Sequence, residues 1–490
     1  MRWTLAEVAD ALGVAVPPGA DSVARLAGVS IDSRTVKPGE LFVAIRGPRH
    51  DGHNFVATAL AQGALAGIVA RDRLGEYTEE IRGKLLVVDD TLRSLQELAQ
   101  RYCDAWRAAK PGRRMAAVTG SAGKTTTKEI LAALLAARFR VLKSEGNLNN
   151  EYGLPLTLFR LGDEHDAAVV ELGMSHRGEL ARLAEISRPD VGVVTNVAPV
   201  HLEFFSSIDE IALAKRELIE GLGGAEPVAV LNADDARVSR FAEGFRGRVL
   251  RFGLSDSAEF RAENIEDRGV EGSGFDYESP EELGRLRLPL AGQHNVLNAL
   301  AALAAASEWG IGVAEAKEVL PKLRPASMRG EFLKFASGFL VINDCYNSNP
   351  VALERMIDVL CSIPGYNRRI LVAGAWREIG PTSPELHRAA GEHTAKRGTL
   401  DWIFGVEGEA EEIVRGAIAA GHPASQAKFF ASSEDAAKFL SGFVVPGDLL
   451  LVKGSRGVHM EAIAAALLEK FPLVEPGREE ATPIENARHG

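Results

Sequence analysis

The first part of the chain combines one short amphipathic segment with several brief strand-like runs. Near the N-terminus, Glu7 and Asp10 interrupt apolar residues at helical spacing, which predicts a short amphipathic helix. Further on, β-branched runs alternate with turn signals such as KPGE at 37–40. A strand-like run at 84–90 and a helix-like run at 91–109 follow. The pattern predicts a first α/β domain, residues 1–108, with a linker at 110–114.

The second part of the chain alternates apolar strand-like runs with helical patterns. The strand-like runs lie at 115–120, 166–173, 189–197 and 226–234, and an alanine-rich helix is predicted at 294–310. This alternation is typical of βαβ units, which build a largely parallel sheet with helices on both faces. We therefore predict a second domain, residues 109–324.

The third part of the chain repeats this rhythm. Apolar runs ending at 344, 374, 406 and 454 alternate with helical stretches, which predicts another α/β domain over residues 325–475. The remaining segment, 476–490, is polar and rich in charge, so we expect a disordered tail. The fold class predicted from the pattern is therefore α/β throughout.

Composition narrows the class of protein. The chain has 490 residues, of which 46% are hydrophobic and 25% charged, as is usual for soluble globular proteins. Its three cysteines, Cys103, Cys345 and Cys361, are scattered, which favours a reducing compartment over a disulfide framework. The N-terminus lacks a signal-peptide pattern and we find no membrane span, so we expect a cytoplasmic protein. A net charge of −11 disfavours a general nucleic-acid binder.

The segment TGSAGKTTTKE, at 119–129, has the order expected of a phosphate-binding loop. It follows a predicted strand and opens a predicted helix, whose N-terminus attracts anions. Lys124 can reach the β- and γ-phosphates of a nucleotide, and Thr125 can place its hydroxyl on Mg²⁺. The spacing GxxGKT is shorter than the common GxxxxGKT. An ordinary glycine-rich connection is the alternative, but the Lys-Thr-Thr sequence and both flanks favour a nucleotide site.

Two further residues are candidate partners of a magnesium ion. Glu171 ends a predicted strand, and ligands gather at the carboxyl ends of strands in a doubly wound sheet. His201 follows the next predicted strand on the same side, although a lone histidine is more often structural. Lys215 lies on a predicted helix at 208–222, and composition alone would place it on the surface.

Taken together, the motifs resemble the Mur ligase superfamily, and within it the branch that adds a dipeptide. The resemblance spans nearly the whole chain. It rests on seven segments in order: DSRTVKPGELFVAIRGPRHDGHNF (32–55), TGSAGKTTTKE (119–129), GNLNNEYGLPLTL (146–158), HLEFFSSIDEIALAKRELI (201–219), GQHNVLNALAA (292–302), NDCYNSNP (343–350) and LVKGSRGVHME (451–461).

The resemblance implies a three-domain architecture, in which a central ATPase domain lies between an N-terminal domain that recognises a UDP-sugar and a Rossmann-like C-terminal domain. It implies a catalytic set of Lys124, Glu171, His201 and Lys215. Thr125, Glu171, His201 and Lys215 would hold Mg²⁺, and Lys215 aligns with the lysine that the family carbamylates. The nucleotide-binding residues would be Gly120, Ser121, Ala122, Gly123, Lys124, Thr125, Thr126, His294, Asn295, Arg329 and Asp344.

The resemblance also implies the substrates and the reaction. ATP would phosphorylate the terminal carboxylate of UDP-N-acetylmuramoyl-tripeptide, and D-alanyl-D-alanine would attack the acyl phosphate, in peptidoglycan precursor synthesis. Both substrates are small molecules, and the family suggests a monomer. The substrate-binding residues would be Ser33, Arg34, Asn149, Asn150, Tyr346, Asn347, Lys453 and Ser455.

The sequence departs from the family pattern at two places. Where the family often shows a GDMLELG-like stretch, this chain has GAWREIG at 374–380, so that Ala375 replaces the acid and Trp376 adds bulk. The segment YNSNP, with Ser348, stands for the commoner YNANP. The first departure concerns details of the acceptor site rather than the reaction class.

Two other functions are alternatives. A sister ligase that adds a single amino acid, either the tripeptide-forming Mur ligase or a folylpolyglutamate synthase, would share the loop. The sequence has no DNPR-like segment, and a folate enzyme would not be expected to carry the first domain. A nucleotide-dependent switch should carry an NKxD motif, whereas the nearest string is NADD at 232–235.

Overall fold

The computed structural model describes residues 3–47, 50–200 and 202–474, which form two compact units. As far as its residues are described, unit 1 comprises Met1–Glu266, Ser273–Pro289 and Gln293–Leu323. Unit 2 comprises Asp267–Gly272, Leu290–Gly292 and Arg324–Gly490. His201 and the predicted tail at 476–490 lie outside the described residues.

Unit 1 begins with a four-stranded parallel sheet in the order β1-β2-β3-β4. Its strands are β1 (Gly28–Ser30), β2 (Glu40–Val43), β3 (Ala66–Ala70) and β4 (Leu85–Val88), and its helices are α1 (Leu5–Leu12), α2 (Val56–Ala61), α3 (Glu79–Arg82) and α4 (Thr91–Ala108). The predicted N-terminal helix is confirmed as α1, where Glu7 joins Thr4 in a capping box.

A nine-stranded sheet forms the rest of unit 1, in the order β13-β12-β11-β10-β9-β8-β5-β7-β6. Its strands are β5 (Arg114–Thr119), β6 (Val141–Lys143), β7 (Ala167–Glu171), β8 (Val191–Val194), β9 (Val228–Asn232), β10 (Arg248–Gly253), β11 (Phe260–Asp267), β12 (Ser273–Glu278) and β13 (Leu283–Leu288). Its helices are α5 (Lys124–Leu135), α6 (Gly153–Leu158), α7 (Glu179–Ser187), α8 (Ile208–Glu220), α9 (Ala236–Ser239), α10 (Gln293–Ser307) and α11 (Val313–Val319).

The centre of this sheet determines where the candidate loop lies. Strand β5 pairs in parallel with β7 on one side and β8 on the other. All residues of β7, β8 and β9 are buried, as expected for parallel strands covered on both faces. The carboxyl ends of β5, β7 and β8 therefore meet at one edge, with the loop at 120–123 between them.

The sheet is not parallel throughout. Strands β12 and β13 form an antiparallel hairpin at its edge, with Ser273 opposite Leu288 and Glu278 opposite Leu283. The exposed and buried positions in β13 do not alternate regularly, and the strand contains two charged residues, Arg285 and Arg287. A largely parallel sheet was predicted and is confirmed, but the hairpin was not anticipated from the sequence.

Unit 2 contains a six-stranded sheet in the order β14-β15-β19-β16-β17-β18. Its strands are β14 (Glu331–Lys334), β15 (Leu340–Asp344), β16 (Arg368–Gly374), β17 (Trp402–Val406), β18 (Ala427–Phe430) and β19 (Asp448–Lys453). Its helices are α12 (Pro350–Ser362), α13 (Ser383–Lys396), α14 (Ala410–Ala419), α15 (Ser433–Phe443) and α16 (Glu461–Lys470). Only β14 runs antiparallel to its neighbour.

The predicted α/β class is confirmed in both units. The carboxyl ends of β15, β19 and β16 lie side by side, because these strands are parallel neighbours. Within residues 3–47, 50–200 and 202–474, no helix combines the length and apolar character that a membrane-spanning helix requires.

Candidate active site

The loop at 120–123 is held in shape by the segment that follows β8. The Asn196 side chain forms two hydrogen bonds with the Ala122 backbone: its Oδ1 accepts from the Ala122 N–H at 3.0 Å, and its Nδ2 donates to the Ala122 carbonyl at 3.1 Å. The Thr195 hydroxyl donates to the same carbonyl at 2.6 Å. Ser121 Oγ donates to the Ala198 carbonyl and accepts from the Ala198 N–H, at 3.1 and 2.9 Å. The loop is therefore a fixed frame.

Gly123 ends this frame and caps helix α5. Its φ of 84° lies in the left-handed region, and a Cβ there would stand well under 3.0 Å from Asn298 Oδ1. A glycine is required here by both the backbone and the space. The first residue of the helix, Lys124, folds back so that its Nζ donates to the Gly120 carbonyl at 2.7 Å. Thr126 lies in the same first turn.

Thr125 and Glu171 meet at the end of β7. The Thr125 hydroxyl donates to Glu171 Oε2 at 2.6 Å, and Asn149 Nδ2 donates to Glu171 Oε1 at 2.8 Å. Glu171 is only 3% exposed, so these bonds hold a buried carboxylate. The structure thus brings together two oxygen groups that the sequence assigned to magnesium, and a hydroxyl with a carboxylate is a donor set that fits this ion.

Sequence analysis did not predict a set of buried hydrogen bonds that joins Glu171 to Lys128 through Ser144. The Glu171 N–H donates to Ser144 Oγ at 3.1 Å, and Lys128 Nζ donates to the Ser144 carbonyl at 2.6 Å. Lys128 is 1% exposed and its ammonium lies 3.0 Å from Glu129. Its position one helical turn after Lys124 could have indicated a buried role, but Ser144 is joined to it only by the fold.

Lys215 is buried in α8, so the surface position expected from composition alone is wrong. Burial, and secondarily the positive charge of Lys124, hold the pKa of Lys215 well below its usual range. The structure gives no geometry for His201, which lies outside the described residues. Within the described part of the chain, no group of three or more His, Cys, Asp or Glu side chains is arranged to hold a metal ion.

The predicted adenine-side residues begin helix α10. Asn298 Nδ2 donates to Asn295 Oδ1 at 3.2 Å, and Asn298 also accepts from the Thr127 hydroxyl at 3.4 Å. Because Asn298 abuts Gly123, it connects Asn295 to the loop. His294 lies in the first turn of α10. Asn298 was not a predicted residue.

Other predicted substrate residues of unit 1 lie elsewhere in the fold. Ser33 is buried after β1, whereas Arg34 is exposed and forms an ion pair with Asp32 at 2.6 Å. Hydrogen bonds from Arg34 lower the pKa of Asp32 to about 2. Asn150 Oδ1 accepts from the Gly153 N–H at 2.9 Å at the start of α6. In this structure Asn150 therefore stabilises a helix end.

In unit 2, the predicted residues cluster at the carboxyl edge of the sheet. Asp344 and Lys453 are paired across β15 and β19, and Lys453 Nζ lies 2.5 Å from Asp344 Oδ2. The same ammonium donates to the Asn347 carbonyl at 3.1 Å. Lys453 is only 3% exposed, so the strand-end lysine is not solvated. It fixes the segment after β15.

Aromatic and hydroxyl groups extend this cluster. The Arg329 guanidinium lies 4.1 Å from the ring centre of Tyr346, and that of Arg456 lies 5.2 Å from the same ring. Ser455 Oγ accepts from the Arg377 N–H at 3.1 Å. Arg329, Asp344, Tyr346, Asn347, Lys453 and Ser455 thus belong to one edge of unit 2.

Comparison with known proteins identifies the family to which this chain belongs. Three family models match the chain: the Mur ligase middle domain over residues 118–306, the Mur ligase glutamate ligase domain over 328–456, and the Mur ligase family catalytic domain over 25–103. The chain belongs to the Mur ligase family.

Two similar relatives carry the name UDP-N-acetylmuramoyl-tripeptide–D-alanyl-D-alanine ligase. The protein of that name from Escherichia coli is 35% identical over 470 residues, covering 95% of this chain and 98% of the relative. The one from Bacillus subtilis is 34% identical over 450 residues, covering 90% and 93%.

Solved structures agree with this match. MurF from Acinetobacter baumannii has a TM-score of 0.83 at 31% identity and covers 96% of this chain and 99% of that one. MurF from Thermotoga maritima, solved in complex with ADP, has a TM-score of 0.78 at 29% identity, with coverage of 90% and 97%. The three-domain architecture predicted from the sequence is confirmed by these neighbours and by the three family models.

Proposed function

We propose that this chain is the ATP-dependent ligase that joins D-alanyl-D-alanine to UDP-N-acetylmuramoyl-tripeptide in peptidoglycan precursor synthesis. The observation that carries the proposal is the near-complete match to relatives of that name, at 34% and 35% identity, together with an intact phosphate loop. A MurF neighbour solved with ADP supports the use of ATP.

The proposed reaction forms one amide bond at the expense of ATP. The tripeptide's terminal carboxylate attacks the γ-phosphorus, giving an acyl phosphate and ADP. The amine of the dipeptide then attacks the acyl carbon, and the tetrahedral intermediate expels inorganic phosphate and loses a proton. In this chain, the fixed loop would position the phosphates at the N-terminus of α5, and Lys124 would neutralise their charge.

Magnesium is part of the proposal. Thr125 and Glu171, whose oxygens meet at 2.6 Å, fit the ion, and His201 and Lys215 are the remaining proposed ligands. When bound, Mg²⁺ would neutralise negative charge on the phosphates. Lys215 would serve as an oxygen ligand only after carbamylation, in which its unprotonated amine adds to CO₂ and loses a proton. The burial of its amine supports that step, because burial disfavours the charged ammonium.

The remaining site assignments are also proposals. His294 and Asn295 would contact the adenine, Arg329 and Asp344 the nucleotide, and Ser33 and Arg34 the uridine diphosphate end. Asn149, Asn150, Tyr346, Asn347, Lys453 and Ser455 would serve the peptide substrates. We further propose a cytoplasmic monomer with domains at residues 1–108, 109–324 and 325–475.

Phosphate release tests the function directly. The protein is given ATP, Mg²⁺ and UDP-N-acetylmuramoyl-tripeptide, with either D-alanyl-D-alanine or single amino acids. Release that requires the dipeptide, with a product heavier by the dipeptide less water, is expected. Release with a single amino acid would identify a sister ligase instead. A Lys124→Met variant is the matched control and should release no phosphate above background.

A further inference from the structure

Trp376, in the stretch that departs from the family pattern, lies in a buried polar cluster of unit 2. We call Ser348, Trp376, Ser383 and His387 the Trp376 cluster. The indole Nε1–H of Trp376 donates to Ser348 Oγ at 3.0 Å, and its backbone N–H donates to His387 Nε2 at 3.0 Å. The two rings stack with centres 4.1 Å apart. His387 Nδ1 lies 2.7 Å from the Ser383 carbonyl.

This bonding fixes the tautomer of His387. Since Nε2 accepts from Trp376, the ring proton is on Nδ1 and is donated to Ser383. Trp376 is therefore held at its backbone, at its ring face and at its indole nitrogen. Both Trp376 and His387 are at most 2% exposed, so none of these bonds can be replaced by solvent without rearrangement.

The cluster is continuous with the candidate substrate residues of unit 2. The Ser348 N–H donates to Asn347 Oδ1 at 2.9 Å, and Lys453 donates to the Asn347 carbonyl at 3.1 Å. On the other side, the N–H of Arg377 donates to Ser455 Oγ at 3.1 Å. The side chain of Ser348 thus links Trp376 to the segment that carries Asn347.

The indole and the hydroxyl depend on each other. A buried indole N–H that loses its acceptor is destabilising, whereas an apolar pair at the same place is nearly neutral. Ser348 and Trp376 are also both positions at which this sequence departs from the family pattern. One hydrogen bond therefore joins two departures that lie 28 residues apart in the chain.

We propose that Trp376 and Ser348 act as one coupled pair of positioning residues, which holds Asn347 for binding of the incoming dipeptide. The inference rests on the proposed function and deepens it, because it assigns affinity for the incoming dipeptide to a specific hydrogen-bonded pair of unit 2. Changing both members should weaken dipeptide binding no more than changing one of them.

A double-mutant cycle tests the coupling. Ser348→Ala leaves the indole N–H without its acceptor, and should raise the KM for D-alanyl-D-alanine about ten-fold while the KM for ATP changes less than about two-fold. Trp376→Phe removes the donor. The double variant should have a dipeptide KM no higher than that of Trp376→Phe alone. Ser348→Thr keeps the hydroxyl and should stay within about two-fold of the wild type.

Trp106 provides a matched control in unit 1. It is 2% exposed and its indole donates to the Gly162 carbonyl at 3.1 Å, so Trp106→Phe removes a comparable buried bond. That variant should lose thermal stability without a selective rise in the dipeptide KM. The five tryptophans can also be labelled with ¹⁵N, and the indole signal lost in Trp376→Phe should shift when the dipeptide binds.

Three results would overturn the coupled pair. These are multiplicative effects of the two substitutions, a parallel rise in the ATP KM, and an indole signal of Trp376 that does not respond to the dipeptide. Failure of the proposed function itself would look different, because the unmodified protein would then show no phosphate release that depends on the dipeptide.

Discussion

The strictest test of the loop geometry compares two glycines with nearly the same backbone conformation. Gly123 caps α5 with φ 84° and ψ −7°, and Gly178 caps α7 with φ 89° and ψ −18°. A Cβ on Gly178 would have nothing within 4 Å, whereas a Cβ on Gly123 would collide with Asn298 Oδ1 and lie 3.1 Å from its Cγ. Alanine at Gly178 therefore measures backbone strain alone.

The expected magnitudes follow from the contacts. An L-residue in the left-handed region costs about 1–2 kcal/mol, and both variants share this cost. Gly123→Ala must also displace Asn298, which is 6% exposed and bonded to Asn295 and Thr127. At about 0.5–1.5 kcal/mol for each bond, the extra loss is about 1–3 kcal/mol. We expect Gly123→Ala to destabilise unit 1 by about 2–5 kcal/mol and Gly178→Ala by about 1–2 kcal/mol.

Stability and nucleotide affinity should be measured together. Urea unfolding gives the first, and calorimetric titration with a non-hydrolysable ATP analogue and Mg²⁺ gives the second. Gly123→Ala should weaken nucleotide binding about ten-fold or more, since about 1.4 kcal/mol of distortion at the loop suffices. Gly178→Ala should bind within about two-fold of the unmodified protein, because its methyl group meets no other atom.

A third variant isolates the collision. Asn298→Ala removes the atoms that a methyl group at position 123 would meet, so adding it to Gly123→Ala should recover part of the lost stability. Equal losses in Gly123→Ala and Gly178→Ala, or an additive double variant, would refute the packing argument.

Three more expectations concern buried ionisable groups. Lys128→Met removes the bond from Lys128 Nζ to the Ser144 carbonyl and should lower kcat about ten-fold. Lys143→Met removes an exposed lysine and should leave kcat unchanged. Steady-state phosphate release compares the two variants. Burial lowers the pKa of His387 below the unfolded value of about 6.5, so the unfolded chain binds the extra proton. Stability should therefore fall as pH drops below about 6.5, and His387→Gln should flatten this slope in urea midpoints. Lys215→Ala should be inactive, and added short carboxylates should restore part of the phosphate release if a carbamate is the ligand.

The features that sequence analysis predicted well are local. The loop, the helix after it and the strand that ends at Glu171 each occupy one continuous segment, so their order in the chain is the signal. The parallel pairing of β5 with β7 then brings Thr125 to Glu171. The α/β class followed from the same alternation of apolar runs.

The features that were missed depend on residues far apart in the chain. Lys128 and Ser144 lie 16 residues apart, and Asn298 lies 171 residues from Thr127. Nothing in a single sequence pairs such positions. Composition alone misplaced Lys215 on the surface because α8 carries charged residues along most of its length, and only packing shows that this lysine faces inward. The β12–β13 hairpin has mixed polarity, so no periodic signal marks it.

The hydrogen bonds from Thr195 and Asn196 to the loop affect the entropy of nucleotide binding. A flexible glycine-rich loop must give up conformational freedom when it closes around an anion, and that loss is subtracted from the affinity. Here the carbonyl and N–H of Ala122 are already bonded to the segment after β8. The loop should therefore lose little conformational entropy when the nucleotide binds. Substitution of Asn196 should weaken nucleotide binding, because the freed loop would then lose conformational entropy on binding. This effect is expected even though the Asn196 side chain is bonded to the protein backbone.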